Sequence, residues 1–205
     1  MSKTCDNKSV GVVIMDERRR LLMIDRGNYP RCKAFPAGHL DGGDYEGMAA
    51  TEVSEEVGLT IPPGRLKLLT EVTLSNPCKR EGGVFHAWRA YRASAADLPN
   101  LRFRAGDDAK RAFWADEEMW RYYAVRTEFA ISRLGLQWFE VGEITLKIFG
   151  HPQTGPVTEE EKTAYASWEN NPGMEPVWYY LLRAGNIFDW RFQDAPVGKL
   201  KMAPL

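Results

Sequence analysis

Three glutamates, Glu52, Glu55 and Glu56, lie close together in the segment EVSEEVGL. If this segment is an α-helix, with about 100° between successive residues, the three side chains fall within an arc of about 100°. Hard divalent cations such as Mg²⁺ prefer oxygen ligands, and Mg²⁺ usually also takes oxygens from substrate phosphates. The cluster therefore predicts either a divalent-metal site or an acidic, solvated helix face.

The helix that would carry these glutamates is predicted from Tyr45 to Val57. Asp44 is a suitable N-cap and Gly58 a suitable residue after the last turn. An apolar residue recurs every four positions and would bury one stripe of the helix: Ala49, Val53 and Val57. No Lys or Arg lies in this segment, although like charges at this spacing destabilise a helix by a few tenths of a kcal/mol per pair.

Short apolar runs on both sides of the helix predict a β-sheet that positions it. Val10–Met15 and Leu21–Ile24 have strand character, and KAFPAGHL is a third, short extended segment. RLKLLTEVTLS and GVFHAWRAYRA predict two longer strands around the turn NPCKREGG, and RAFWAD a shorter one. DEEMWRYYAVRTEFAISRLG predicts an amphipathic helix that ends at Gly135. This mixture favours an α+β or α/β sandwich.

The C-terminal part of the chain predicts helices without a chemical motif. We assign residues 1–150 to one domain and residues 151–205 to a helical extension packed on it. TEEEKTAYASWENN begins with a capping box, Thr158 to Glu161, and PGMEPVWYYLLRAGN tolerates Pro176 only in its first turn. QWFEVGEITLKIFGHPQTGP fits either a strand pair or a helix. The aromatic residues of the extension suit packing on the core or on a second subunit, so we expect a homodimer.

Overall charge gives no sign of a nucleic-acid or membrane partner, although a local charged patch remains possible. With 27 basic and 28 acidic residues, no global field favours nucleic acid or an anionic membrane. The N-terminus resembles neither a secretory signal nor a membrane span. Three widely spaced cysteines, without CxxC or Cys/His metal spacing, indicate reduced thiols and a cytoplasmic location. We expect His39 and His86 not to bind metal, because neither has a metal-like partner in the sequence.

The segment from Gly38 to Leu59 resembles the Nudix box, G-x5-E-x7-R-E-U-x-E-E-x-G-U, in which U is aliphatic. Gly38 matches the first glycine, Asp44 stands at the first glutamate, and EVSEEVGL matches the second half completely. The resemblance covers roughly residues 9–135 and implies the Nudix fold, an α/β/α sandwich with a mixed sheet between helices. Three departures stand against it. Aspartate replaces the first glutamate, Thr51 replaces the arginine, and the spacer between them is one residue short.

The resemblance implies a metal-dependent hydrolase that cleaves a nucleoside diphosphate linked to another moiety. It implies that Glu52, Glu55 and Glu56 ligate Mg²⁺ or Mn²⁺ and that one of them acts as the base. The backbone carbonyl of Gly38 would complete a metal shell, and Asp44 would be a weak or indirect ligand. The substrate is a small nucleotide, with ADP-ribose or a sugar nucleotide favoured because Pro77 loosely matches a marker of ADP-ribose members.

Residues outside the box have alternative interpretations. Arg26 either meets a substrate phosphate or is an ordinary surface arginine. Asp107 and Asp108 lie where some members carry a remote base, but a plain turn explains them as well. Four aromatic residues could stack on a base or simply fill the core: Phe85, Trp88, Trp114 and Trp120. The segment GMEPVW also resembles C-terminal segments of longer bacterial members, without an implied chemistry.

Two rival functions remain open at this stage. A degenerate Nudix domain would bind a nucleotide as a sensor or regulator without cleaving it, and Thr51 with the shortened spacer motivates this alternative. Isopentenyl-diphosphate isomerase, which shares the fold, would need a cysteine opposite a glutamate. Cys78 is the candidate cysteine for that reaction.

Overall fold

The N-terminal apolar runs form the centre of a mixed β-sheet in the computed structural model, which describes residues 3–28, 30–107 and 109–187. Seven strands of these residues form one sheet: β1 (Lys8–Met15), β2 (Leu21–Arg26), β3 (Lys33–Ala34), β4 (Ala37–His39), β5 (Lys67–Leu74), β6 (His86–Ser94) and β7 (Ala109–Ala115). The same residues contain five α-helices: α1 (Tyr45–Val57), α2 (Glu117–Arg133), α3 (Val141–Phe149), α4 (Glu159–Asn170) and α5 (Pro176–Ala184).

Strand β1 is the central strand, and its neighbours fix the position of the glutamate helix. It runs parallel to β6 over its whole length and antiparallel to the short β4, with Val10 opposite Gly38 and Gly11 opposite Ala37. Six consecutive residues of β1 are buried, as expected for a strand that is covered on both faces. Strand β4 leads through a short turn into α1, so the sheet register sets where α1 begins.

Helices cover both faces of the sheet at β1. A side chain at Gly38 would collide with Glu52 of α1, whereas one at Gly11 would collide with Trp178 of α5. Successive residues of a strand point to opposite faces, and directly paired residues share a face. Because Val10 pairs with Gly38, α1 and α5 lie on opposite faces. This arrangement confirms the predicted α/β/α sandwich.

Helix α1 has the predicted local structure. Asp44 caps its N-terminus by accepting a hydrogen bond from the Gly47 N–H at 2.8 Å. Gly58 ends it in the left-handed region, with φ at 69°, a conformation that a residue without Cβ adopts with little strain. The buried residues of the helix are the predicted stripe: Ala49, Val53 and Val57.

The C-terminal helices pack into the same core as the sheet. Thr158 and Glu161 form the predicted capping box, Pro176 occupies the first turn of α5, and the ambiguous segment after Gln137 forms helix α3. Trp178 of α5 is fully buried and packs against Phe35 at a ring distance of 5.0 Å. The boundary at residue 150 stays a prediction, and residues 188–205 of the proposed extension lie outside the described residues. None of the described helices combines the length and apolarity that crossing a bilayer requires.

Candidate metal and substrate site

The Glu52 carboxylate packs directly on the backbone of Gly38. Any Cβ at position 38 would overlap the Glu52 carboxylate, so only glycine leaves room for this approach. Gly38 lies in β4 and Glu52 lies in the middle of α1. The structure therefore brings together two residues that the sequence predicts to share a metal site, across the loop between strand and helix.

Glu56 has a strongly perturbed carboxyl group. Its Oε2 accepts a hydrogen bond from the Ala37 N–H at 2.9 Å, one residue before Gly38. Burial raises the pKa of the Glu56 carboxyl to about 8, and the negative charges of Glu52 and Glu175 add to this rise. The Ala37 N–H and the Arg26 guanidinium act in the opposite direction. A half-buried acid with this pKa holds a proton at neutral pH unless a cation replaces it.

Glu55 is exposed, but a loop covers the backbone beside it. The Gly106 N–H donates a hydrogen bond to the Glu56 carbonyl at 2.8 Å, and the Arg104 N–H donates to the Val57 carbonyl at 3.0 Å. Gly106 also lies so close to the Glu55 carbonyl that a Cβ would not fit. Asp107 follows this contact directly, whereas Asp108 lies outside the described residues.

Asp44 lies at the N-terminal end of α1, away from the three glutamates, and its role as a weak or indirect ligand stays a prediction. It is exposed and caps the start of α1. At a rise of 1.5 Å per residue, its Cα lies about 12 Å along the helix axis from that of Glu52. Thr51 is also exposed, and its hydroxyl donates to the Gly47 carbonyl at 3.0 Å. Threonine therefore bonds to its own helix and does not replace an arginine.

Arg26 lies at the edge of the site, paired with a residue that the sequence did not nominate. Its guanidinium is 3.3 Å from Glu175 Oε1, and both charges act on the pKa of Glu56. The Glu175 N–H donates to the Lys33 carbonyl at 2.8 Å, which fixes the C-terminal segment beside β3. Glu175 lies in the segment GMEPVW, which the sequence analysis singled out. Its pairing with Arg26 was not predictable, because the two residues are far apart in the sequence.

The aromatic candidates fill the core more than they line a site. Trp88 and Trp120 are buried, and Trp114 packs edge-to-face on Phe103 at a ring distance of 6.1 Å. Phe85 is exposed in the loop before β6. The alternative that these residues serve packing is therefore better supported for the tryptophans.

The expectation that His39 and His86 lack metal-like partners is wrong. Their side chains lie together with Cys5 and Cys78 at the beginning of β1. Burial lowers the pKa of His86 to about 4. Cys78 faces His39 at 3.3 Å, whereas the isomerase alternative requires a cysteine opposite a glutamate.

The acids beside Gly38 have the oxygen donors that a hard divalent cation prefers. Glu52 and Glu56 converge on the backbone of residues 37–38, and α1 contains no basic side chain. Glu55 and Glu56 also occupy the last turn of α1, where the helix dipole disfavours negative charge. Mg²⁺ and Mn²⁺ prefer oxygen ligands. A cation held by these carboxylates would offset both their mutual repulsion and their unfavourable interaction with the helix dipole.

The chain is similar to known proteins in sequence and in structure. A profile of the NUDIX domain matches residues 6–160. Among solved structures, a MutT/nudix family protein from Enterococcus faecalis is 24% identical over 56% of this chain and 44% of its own, with a TM-score of 0.44. A bifunctional NMN adenylyltransferase/ADP ribose pyrophosphatase from Francisella tularensis is 20% identical over 57% and 35%, with a TM-score of 0.42.

A third similar structure, an Ap4A hydrolase from C. elegans, is 20% identical over 67% of this chain and 90% of its own, with a TM-score of 0.44. The present chain thus spans less than half of the Enterococcus and Francisella proteins. No protein with a curated description matches the chain.

Proposed function

Because this chain belongs to the NUDIX family, we propose that it is a metal-dependent hydrolase that cleaves a nucleoside diphosphate linked to another moiety. One observation carries the proposal: the carboxylates of Glu52 and Glu56 meet the backbone of Ala37 and Gly38. The half of the box that supplies the acids is intact in sequence, and this contact joins the two halves in space. The two positions that differ from the Nudix box, Asp44 and Thr51, lie at the start of α1 and on its exposed face.

The residues that would hold the cation are Glu52, Glu55, Glu56 and the Gly38 carbonyl. Bound Mg²⁺ or Mn²⁺ would neutralise charge on the diphosphate and make a water molecule more acidic. Glu56 Oε2 is held by the Ala37 N–H, which leaves Oε1 to accept a proton from water. In the metal-free protein burial raises the pKa of this carboxyl to about 8, so metal binding has to displace its proton before the carboxylate can act as a ligand or a base.

Arg26, at the end of β2, supplies a positive charge that acts on Glu56. Its pairing with Glu175 fixes the guanidinium beside the site, and a guanidinium binds phosphate oxygens through two parallel hydrogen bonds. We assign Arg26 to the substrate phosphates and Glu175 to the positioning of Arg26. ADP-ribose and sugar nucleotides remain the favoured substrates, and the homodimer stays a prediction.

Hydrolysis is tested with a panel of nucleoside diphosphate derivatives that includes ADP-ribose, sugar nucleotides and dinucleoside polyphosphates. Phosphate release after phosphatase coupling should require Mg²⁺ or Mn²⁺. Glu56→Gln should lower turnover by roughly 10²–10⁴-fold, the range for lost general acid–base catalysis. Glu46→Gln is the matched control, because Glu46 lies on the same helix but in its exposed first turn.

The second candidate function is nucleotide binding without cleavage. The position of Thr51 favours it, because its hydroxyl is engaged with Gly47 and no box arginine orients the glutamates. A wild-type protein that binds nucleotides in calorimetry but releases no product with either metal would support this function. Product release that Glu56→Gln leaves unchanged would instead place the chemistry away from α1.

A further inference from the structure

Two cysteines and two histidines from four separate segments converge at the beginning of β1. Cys5 precedes β1, His39 ends β4, Cys78 lies in the loop between β5 and β6, and His86 begins β6. The register of the sheet places them there, because Ser9 pairs with His39 on one side of β1 and Lys8 pairs with Ala87 on the other. Cys5, Cys78 and His86 are buried, and His39 is half-buried.

The four side chains present their ligand atoms to a common point. His86 Nε2 is 3.2 Å from Cys5 Sγ and 3.3 Å from His39 Nε2, and Cys78 Sγ is 3.3 Å from His39 Nε2. All four ligand atoms lie within 4.8 Å of one another. With bonds of about 2.3 Å to sulfur and about 2.0 Å to nitrogen, a tetrahedral zinc ion separates its ligand atoms by about 3.3–3.8 Å.

The hydrogen bonds around the cluster suit metal ligands. His86 Nδ1 is 3.1 Å from the Asn76 carbonyl. This carbonyl requires a proton on Nδ1, so the lone pair of the neutral ring is on Nε2, the atom that faces the cluster. Each sulfur also accepts a backbone N–H from the residue two positions later, Asn7 to Cys5 at 3.4 Å and Arg80 to Cys78 at 3.2 Å. Such bonds stabilise a thiolate over a thiol.

The backbone is built closely around the two cysteines. The Cys78 N–H donates to the Gly83 carbonyl at 2.8 Å, and the Cys5 N–H donates to the Glu81 carbonyl at 2.9 Å. A Cβ at Gly83 would overlap Cys78 and press on Cys5 Sγ. The loop of residues 78–83 therefore holds the N-terminal segment against the sheet and keeps both sulfurs on the same side.

We propose that Cys5, His39, Cys78 and His86 bind one structural zinc ion. Thiolate sulfur excludes Mg²⁺ as the preferred occupant, and a tetrahedral set of two sulfurs and two imidazoles is typical of zinc. Two thiolates balance the charge of Zn²⁺, so the filled site is neutral, as a buried site should be. Four protein ligands leave no open position for water, which assigns the ion a structural role.

The proposed zinc site lies next to the end of β4, the strand that contains Gly38. His39 follows Gly38 directly, and Gly38 contacts Glu52. An ion bound to His39 would tie the end of β4 to the N-terminal segment and to the loop of residues 78–83. Arg80 and Lys3 add to this connection, since both form ion pairs with Asp41 in the turn after β4.

The chain provides a matched control for each ligand type. It contains three cysteines and three histidines, of which Cys32 and His151 lie outside the cluster. Full-length protein without a polyhistidine tag should contain about one zinc per chain by mass spectrometry of the metals. Cys32→Ala and His151→Ala should keep this zinc content. In Cys78→Ala and His86→Ala the zinc content per chain should fall at least about tenfold. Glu56→Gln should also keep it, which separates this site from the hydrolytic one.

Cobalt replacement tests the ligands without any substitution. Wild-type protein loaded with Co²⁺ should show the strong visible bands of tetrahedral cobalt and a near-ultraviolet thiolate charge-transfer band. This spectrum decides the question if Cys78→Ala does not fold. The proposal is overturned if wild-type protein takes up no stoichiometric zinc or cobalt, or if the cobalt spectrum lacks the thiolate band. An intact mass showing a Cys5–Cys78 disulfide would equally overturn it.

Discussion

Arg26 and Glu175 form an ion pair at 3.3 Å although they are 149 positions apart in the chain. The pair connects the end of β2 with the segment that leads into α5, and both charges act on Glu56. The C-terminal segment therefore contributes to the electrostatics of the candidate site, beyond its packing on the core.

Glu175→Gln tests this contribution. The amide no longer fixes the guanidinium by charge, so kcat/KM should fall about tenfold, which corresponds to about 1.4 kcal/mol. Removing the negative charge should also lower the pKa of Glu56 and shift the acidic limb of the pH–rate profile to lower pH. Glu169→Gln is the control, because the Arg31–Glu169 pair at 2.7 Å is a similar connection between the two ends of the chain. Equal effects of both substitutions would show that Glu175 acts through stability alone.

Gly38→Ala tests the contact between β4 and α1. The added methyl group displaces the Glu52 carboxylate, so Mn²⁺ affinity should fall and turnover should drop by at least about 10²-fold, as misplaced catalytic groups do. Gly43→Ala is the control, since its Cβ would meet chiefly the Met48 side chain, which can change rotamer, and lie 3.2 Å from the Leu40 carbonyl. Paramagnetic resonance of Mn²⁺ measures the affinity. Unchanged Mn²⁺ binding in Gly38→Ala would separate Glu52 from the metal site.

Glu56 should make the metal-free protein less stable at high pH. Its folded pKa is about 8 against an ordinary value of 4.5, so the folded state binds the proton more tightly than the unfolded state. The contribution of Glu56 to the free energy of unfolding is therefore greatest below pH 4.5 and is lost as the pH rises through about 8. Each pKa unit corresponds to about 1.4 kcal/mol. Glu56→Gln should therefore stabilise the protein at pH 9 by a few kcal/mol.

Urea unfolding at pH 5 and pH 9, in buffer without Mg²⁺ or Mn²⁺, measures this effect. Glu46→Gln, on the exposed first turn of α1, should behave like wild type at both values. The same Glu56→Gln substitution is expected to abolish most of the activity, so stability and function change in opposite directions. Equal pH dependence in wild type and Glu56→Gln would contradict the raised pKa.

Thr51→Arg should have little effect on turnover. Residue 51 is exposed and bonds to its own helix, one turn before Glu55. Arginine there would pair with Glu55 across the helix surface and stabilise α1 by about 0.2–0.5 kcal/mol. We expect kcat/KM within about twofold of wild type, because an exposed side chain that bonds to its own helix should change the activation free energy by no more than about 0.4 kcal/mol. A tenfold gain would instead show that a missing arginine limits the activity.

The amino-acid sequence by itself determined the local structure and identified the family. The four-residue apolar period, the Asp44 cap and Gly58 set the limits of α1, and the same helix places Glu52, Glu55 and Glu56 on one side. The sequence also predicted the Thr158–Glu161 capping box and the position of Pro176 in the first turn of α5. Each of these features depends on side chains within one helical turn, where spacing in sequence fixes spacing in the structure.

Only the tertiary structure decided which distant residues meet. Cys5, His39, Cys78 and His86 follow no metal-binding spacing, and they converge because β4 and β6 flank β1 in a particular register. A shift of one residue in either pairing would turn the histidine to the opposite face of the sheet. Glu175 reaches Arg26 through backbone pairing with Lys33. Such contacts are set by sheet register and core packing, and a linear motif does not record them.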